Sequence, residues 1–199
     1  MKKLLIATKN PAKIAEYRII FKDLPLELIT LGDLNIHISV EENGETFEEN
    51  AIKKAKFYYK LSGLPTLAED GGIEIDYLNG EPGVKSRRWP GYEASDEELI
   101  NMTYEKLKGV PLEKRNAQLR VVIALAINSE IETSEGAVQG IILERPVKTT
   151  ISGYPFRSVF YMPAMKKVFA EMTEEEEMLV SHRKKAIEQL LPIIKKMLK

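Results

Sequence analysis

Ala117-Gln118-Leu119-Arg120-Val121-Val122-Ile123-Ala124-Leu125-Ala126 carries the densest β signal in the chain, and Glu135-Gly136-Ala137-Val138-Gln139-Gly140-Ile141-Ile142-Leu143 answers it across a polar turn. Two such runs bounding a turn read as a long antiparallel hairpin. Upstream, strands and helices alternate. Residues 3–7 read as a buried strand, ended by Thr8-Lys9-Asn10-Pro11, and Pro11 suits the first turn of a helix that runs to about Phe21 with Ile14, Tyr17 and Phe21 at helical spacing. A second strand is expected over 26–30, before a polar segment in which Ile36 and Ile38 alternate. Thr46 is a good N-cap with Glu49 at the capping-box position, and Ala51, Ile52, Ala55 and Tyr59 form an apolar stripe, which predicts a helix over 47–61.

Downstream of residue 62, Leu67-Ala68 leads into Glu69-Asp70-Gly71-Gly72, read as an acidic turn, after which Ile73 and Ile75 alternate as in a strand. Ser95-Asp96-Glu97-Glu98 starts a helix to about Leu107, stopped by Gly109-Val110-Pro111. Phe160-Tyr161-Met162 is a short strand ended by Pro163, and Thr173 caps a helical region over 174–197 with a break expected near 179–181. Early βα alternation with a central hairpin predicts an α/β fold, a mixed sheet flanked by helices.

The 199 residues suffice for one substantial domain, possessing either one body or two lobes, and show no repeat or linker. A net charge of −1 exerts no global pull toward nucleic acid or an anionic membrane, so any basic site must be local. The absence of cysteine removes disulfides, thiolate catalysis and cysteine-bound zinc. With only His37 and His182, a bound metal would be held by carboxylates, which favours Mg²⁺ or Mn²⁺. No stretch is long and apolar enough for a membrane span, and the apolar run at Leu4–Ala7 is too short for a signal segment, so a cytoplasmic protein is expected.

Four segments carry candidate chemistry. Glu69-Asp70-Gly71-Gly72 is followed by Gly80-Glu81-Pro82-Gly83-Val84-Lys85-Ser86-Arg87-Arg88, so carboxylates precede a phosphate-sized basic patch. That arrangement is either an ordinary strand–turn–strand with solvated charges or a site for metal-assisted phosphate chemistry. Thr8, Asn10 and Lys13 place a hydroxyl, an amide and an ammonium at a strand-to-helix turn, where helix N–H groups could join them on an anion; a polar turn with an exposed lysine is the alternative. Glu41 to Ala55 carries five glutamates ahead of Lys53 and Lys54, some of them simple helix-face charges, while a hard cation needs about six oxygens and could draw some from here and from Asp70. Ser181-His182-Arg183 lies in a helical stretch, where an exposed His-Arg pair is the plain reading, and Tyr154, Phe156 and Phe160 could stack on a base or fill the core.

Taken together and in this order, these segments resemble the Ham1 family of inosine and xanthosine triphosphate pyrophosphatases. The family's T-x-N-x-x-K is similar to Thr8, Asn10 and Lys13, and its E-x-G-x-T-F-x-E-N-A-x-x-K-A to Glu42 through Ala55. Its D-D-S-G loop and the following L-x-G-x-P-G-v-x-S-x-R are similar to Glu69 to Arg88, and its S-H-R to Ser181, His182 and Arg183. The resemblance implies an elongated mixed sheet with two lobes around a central cleft in a single domain over 1–199, commonly a homodimer, acting on nucleotides rather than on nucleic acid or membranes. It implies Mg²⁺-dependent hydrolysis of a nucleoside triphosphate to a monophosphate and pyrophosphate. By carry-over Asp70 activates the attacking water, and Glu42, with Asp70, Glu45 and Glu49 as further candidates, holds the metal. Thr8, Asn10, Lys13 and Lys54 face the triphosphate, Lys9, Gly71 and Arg88 are further substrate-binding candidates, and Tyr154, Phe156, Arg157, Glu177, His182 and Arg183 face the base.

The base end departs from the family. Where the family has G-F-G-Y-D-P this chain has Gly153-Tyr154-Pro155-Phe156-Arg157-Ser158, so an aspartate becomes Arg157, and the lysine four residues before S-H-R becomes Glu177. Gly71 replaces the serine after the catalytic aspartate. Either Arg157 and Glu177 pair with each other, one swap compensating the other, or the donor and acceptor pattern facing the base is reversed and the preference for keto purines falls. A nucleotide-binding protein that has lost hydrolysis is the rival from another class. Retention of Asp70, Glu42, Lys13 and Lys54 argues against it.

Overall fold

The computed structural model describes residues 1–198. Seven strands and five α-helices follow one another as β1 (Lys2–Ile6), α1 (Pro11–Ile20), β2 (Leu26–Thr30), α2 (Phe47–Ser62), β3 (Thr66–Ile75), α3 (Asp96–Lys106), β4 (Asn116–Ile127), β5 (Glu130–Ile142), β6 (Phe160–Met162), β7 (Lys167–Val168), α4 (Glu174–Val180) and α5 (His182–Leu198). The sheet order is β2-β1-β3-β4-β5-β6-β7. It is mixed as expected: β1 runs parallel to β2 and β3, whereas β6 runs antiparallel to β5 and β7.

Local chemistry sets most boundaries. Asn10 caps α1 with Pro11 in the first turn, and Thr46 caps α2, which ends at Gly63 in the left-handed conformation. Ser95 with Glu98 and Thr173 with Glu176 form complete capping boxes at α3 and α4. The central hairpin turns on Asn128 and Ser129, both at positive φ, the backbone that a two-residue turn between twisted strands demands. The helical region after Thr173 breaks at Ser181, as expected.

The chain divides into two compact units. Among the described residues the first comprises 1–70, 121–136 and 183–198; the second comprises 71–120 and 137–182. Each has its own core. In the first, Leu4, Ile6, Tyr17, Phe21 and Leu67 pack with Val121, Ile123 and Leu125 and with Ala186, Ile187, Leu190 and Ile194 of α5. In the second, Ile73, Ile75, Leu99, Leu107, Val138 and Ile142 pack with Phe156, Phe160 and Phe169.

Glu69-Asp70-Gly71-Gly72 is not a turn. β3 runs straight through it. The glycine at 72 is there for space: a Cβ would lie 2.0 Å from Ser86 Oγ and 2.7 Å from the Gly83 carbonyl oxygen. The Ser86 hydroxyl accepts from the Ile73 amide and donates to the Gly83 carbonyl, so the serine packs against the bare strand backbone. Gly72→Ala is therefore expected to destabilise the protein by about 1–3 kcal/mol, the usual cost of overpacking. Chemical denaturation measures this, and an unchanged midpoint would contradict the close packing of Ser86 on this strand.

Candidate active site

Successive side chains on a strand point to opposite faces, so Glu69 and Asp70 meet different partners. Glu69 is buried and saturated. Its Oε1 accepts from Lys13 Nζ and Arg183 Nη2, each at 2.8 Å, and its Oε2 accepts from Arg183 Nε at 2.8 Å and from the Tyr17 hydroxyl. Arg183 Nη1 donates to Glu16 Oε2 at 3.0 Å, which completes a buried network joining α1, β3 and α5. Burial alone would push the Glu69 carboxyl up, but Arg183 and then Lys13 overcome it and hold the group well below the usual carboxylate range.

Asp70 has a different setting. Its Oδ2 accepts from Asn50 Nδ2 at 2.9 Å, and its Oδ1 lies 3.8 Å from Lys54 Nζ. That ammonium also donates to Glu42 Oε2 at 2.8 Å. Burial raises the Asp70 carboxyl most strongly; Lys54 opposes the rise, the Glu42 charge adds to it, and Asn50 and Lys13 pull back, leaving it above its ordinary value. The two neighbours thus differ in kind: Glu69 is locked as an anion by four bonds, and Asp70 is made more basic.

At the first strand-to-helix turn, the expected convergence of α1 backbone donors does not occur. Asn10 Oδ1 itself accepts from the Ala12 and Lys13 amides, at 2.9 and 3.4 Å, and Pro11 has no N–H to offer. Thr8 Oγ1 accepts from the Asn10 amide, and Lys9 Nζ donates to the His37 carbonyl and to Ser39 Oγ. Positive charge, rather than helix amides, is what this segment offers an anion.

Of the four candidate metal ligands, the structure brings Glu42 and Asp70 to one ammonium. Glu45 and Glu49 are exposed, and the Glu49 carboxylate is turned back onto the Glu45 amide at 2.7 Å, one residue beyond the capping-box position expected of it. Among the described residues no group of three or more acidic or histidine side chains is assembled for a metal. Two carboxylates around a cationic point nevertheless fit Mg²⁺, which is ordinarily held by one or two carboxylates with nucleotide phosphates and water completing its shell.

The second unit gathers the other candidates. Arg157 is buried, with its guanidinium carbon 3.9 Å from the Tyr154 ring centroid and 4.5 Å from that of Phe169, and its Nη1 donates to Glu177 Oε2 at 2.9 Å. The two departures from the family pattern are therefore paired. His182 is buried with its ring 6.4 Å from Phe169. Phe156 belongs to the apolar core of this unit rather than to a polar surface. Gly71 continues β3, and Arg88 is half-buried in the turn after the 3₁₀ segment Gly83–Lys85.

Arg183 departs from the plain expectation of an exposed His-Arg pair. It is not an exposed helical arginine: it is buried in the first unit between Glu16 and Glu69. Residues overlooked in the sequence are Asn50, fully buried against Asp70, and Glu16 and Tyr17 around Glu69. A signal existed for Asn50. Phe47, Ala51, Ala55 and Tyr58 are the buried face of α2, and Asn50 is the polar residue upon it.

The sequence profile of the Ham1 family matches residues 4–193. A dITP/XTP pyrophosphatase of Clostridium perfringens is 38% identical over the full length of both chains, and one of Thermoanaerobacter pseudethanolicus is 39% identical over 98% of each. Among solved structures, a HAM1 protein from Coxiella burnetii is similar with a TM-score of 0.85 at 35% identity, covering 98% of this chain and 100% of that one. The Staphylococcus aureus Ham1 protein gives 0.83 at 34% identity with the same coverage.

Proposed function

The chain belongs to the Ham1 family, and we propose that it is a nucleoside triphosphate pyrophosphatase that cleans the nucleotide pool of dITP, ITP and XTP. The observation that carries this reading is the Glu42–Lys54–Asp70 cluster: a carboxylate of raised basicity beside a cation and a second carboxylate. Asp70 takes a proton from a water aimed at the α-phosphorus. The new P–O bond forms as the bond from that phosphorus to the α–β bridging oxygen breaks, and pyrophosphate leaves with the bridging electrons. Lys54 and Lys13 offset the triphosphate charge, an electrostatic task that needs little covalent chemistry from the protein. Glu42 and Asp70 would hold a Mg²⁺ ion, which when bound neutralises phosphate oxygens and lowers the barrier to displacement.

Of the residues that the resemblance gives to the base, Arg183 belongs to the first unit, whereas Tyr154, Arg157 and Glu177 form a cluster in the second. Because Arg157 and Glu177 neutralise each other there, the swap supports retention of the family's bases rather than a reversed preference. The resemblance further implies a homodimer, which we carry as a proposal to be read by light scattering on the purified protein.

A panel of nucleoside triphosphates with pyrophosphate detection tests the assignment. We expect dITP and XTP to exceed the four common deoxynucleotides by about tenfold or more in kcat/KM, a discrimination of ordinary size for a hydrogen-bonded pocket. Excess EDTA should abolish turnover, and added Mg²⁺ should restore it. Pyrophosphate from no triphosphate would instead favour the nucleotide-binding protein without hydrolysis, and a preference for an amino-bearing base would favour the reversed pattern.

A further inference from the structure

Asn50 is completely buried on α2, and a buried amide side chain must be satisfied at both ends. Its Oδ1 accepts from the Gly44 amide at 2.8 Å and its Nδ2 donates to Asp70 Oδ2 at 2.9 Å. These two partners leave one orientation of the amide: turned over, the side chain would set an NH₂ against an N–H and an oxygen against a carboxylate. The Gly44 end has no room to spare. A Cβ at residue 44 would lie 2.8 Å from Asn50 Oδ1 and 2.8 Å from Glu49 Cβ, so only glycine lets the loop amide come this close.

Resting on the pyrophosphatase reading above, we propose that Asn50 is a positioning residue for that reaction: the Gly44 amide fixes Asn50, and Asn50 fixes the Asp70 carboxylate in the rotamer that meets the attacking water. Neither residue touches the nucleotide in this scheme; both act through Asp70. Oδ2 is held by Asn50, so Asp70 is not free to swing its two oxygens about the Cβ–Cγ bond. A carboxylate held in one attitude loses little orientational freedom on reaching the transition state. The loop Glu41–Glu45, whose sequence looks like a run of solvated acids, thereby acquires a second duty at Gly44 distinct from that of Glu42.

Gly44→Ala and Asn50→Asp test the relay. Gly44→Ala leaves every reacting group chemically intact. Asn50→Asp keeps the side-chain shape but loses the amide donor. Each should lower kcat by about ten- to a hundredfold while KM, and the affinity for a non-hydrolysable α,β-methylene triphosphate, stay within about threefold. The double variant should be no slower than Asn50→Asp alone, because Gly44 acts only through Asn50. Should Asn50→Asp fail to fold, as judged by circular dichroism, the kcat and KM of Gly44→Ala decide the matter alone. Unchanged kcat in Gly44→Ala, a rise in KM without loss of kcat, or full additivity in the double variant overturns the relay. Because the parent is assayed alongside, the two failures separate: an inactive parent overturns the pyrophosphatase reading and the relay with it, whereas an active parent with unaffected variants overturns the relay only.

Discussion

Asp70→Asn is expected to cut pyrophosphate release from the best triphosphate by about a thousandfold or more, because it removes the proposed base and one of the two carboxylates proposed to hold the metal in one step. The substitution should be gentle on the fold. An asparagine oxygen at residue 70 still accepts from Asn50 Nδ2, and the nearest cation, Lys54, keeps its 2.8 Å bond to Glu42. Binding of the α,β-methylene triphosphate should therefore persist while turnover vanishes. A variant retaining more than about a tenth of parental kcat would remove Asp70 from the chemistry, since a positioned general base contributes at least a hundredfold. Loss of binding together with turnover would recast it as a binding residue.

The second large effect belongs to the neighbouring residue and falls on stability. Glu69→Ala should destabilise the protein by about 3–5 kcal/mol, the cost of breaking a buried ion pair from one side. The alanine takes one of two acidic partners, Glu69 and Glu16, from Arg183, strands the Tyr17 hydroxyl, and frees Lys13 from a 2.8 Å contact. Glu69→Gln keeps the shape and some of the bonds but withdraws the charge, so it should fall between the parent and Glu69→Ala. Urea denaturation followed by far-ultraviolet circular dichroism measures both. A loss below about 1 kcal/mol would mean that the network contributes no more than a surface ion pair does. The contrast between the two acidic neighbours is the sharper result: one substitution removes turnover and spares the fold, the other strikes the fold first.

Much of this was legible in the sequence. Caps, hairpin and helical breaks depend on residues a few positions apart, and Thr46, Ser95, Thr173 and the Asn128-Ser129 turn mark them. The exchange of charge at Arg157 and Glu177 was visible because two departures from one pattern compensate, and they pair at 2.9 Å. What failed was the reading of glycine from local rules. Gly71-Gly72 looks like a turn until Ser86, fourteen residues on, is seen to need the space above the strand. Arg183 and Glu69 lie 114 residues apart, and no local spacing announces that pair. Asn50 could have been found, since a polar residue on the buried face of an amphipathic helix requires a partner.

The central claim is that the triphosphate is broken between its α and β phosphorus atoms. Phosphorus NMR of dITP incubated with the purified protein and Mg²⁺ reads this directly. The account predicts monophosphate and pyrophosphate in equal amounts with no diphosphate at any stage; diphosphate with orthophosphate would contradict it.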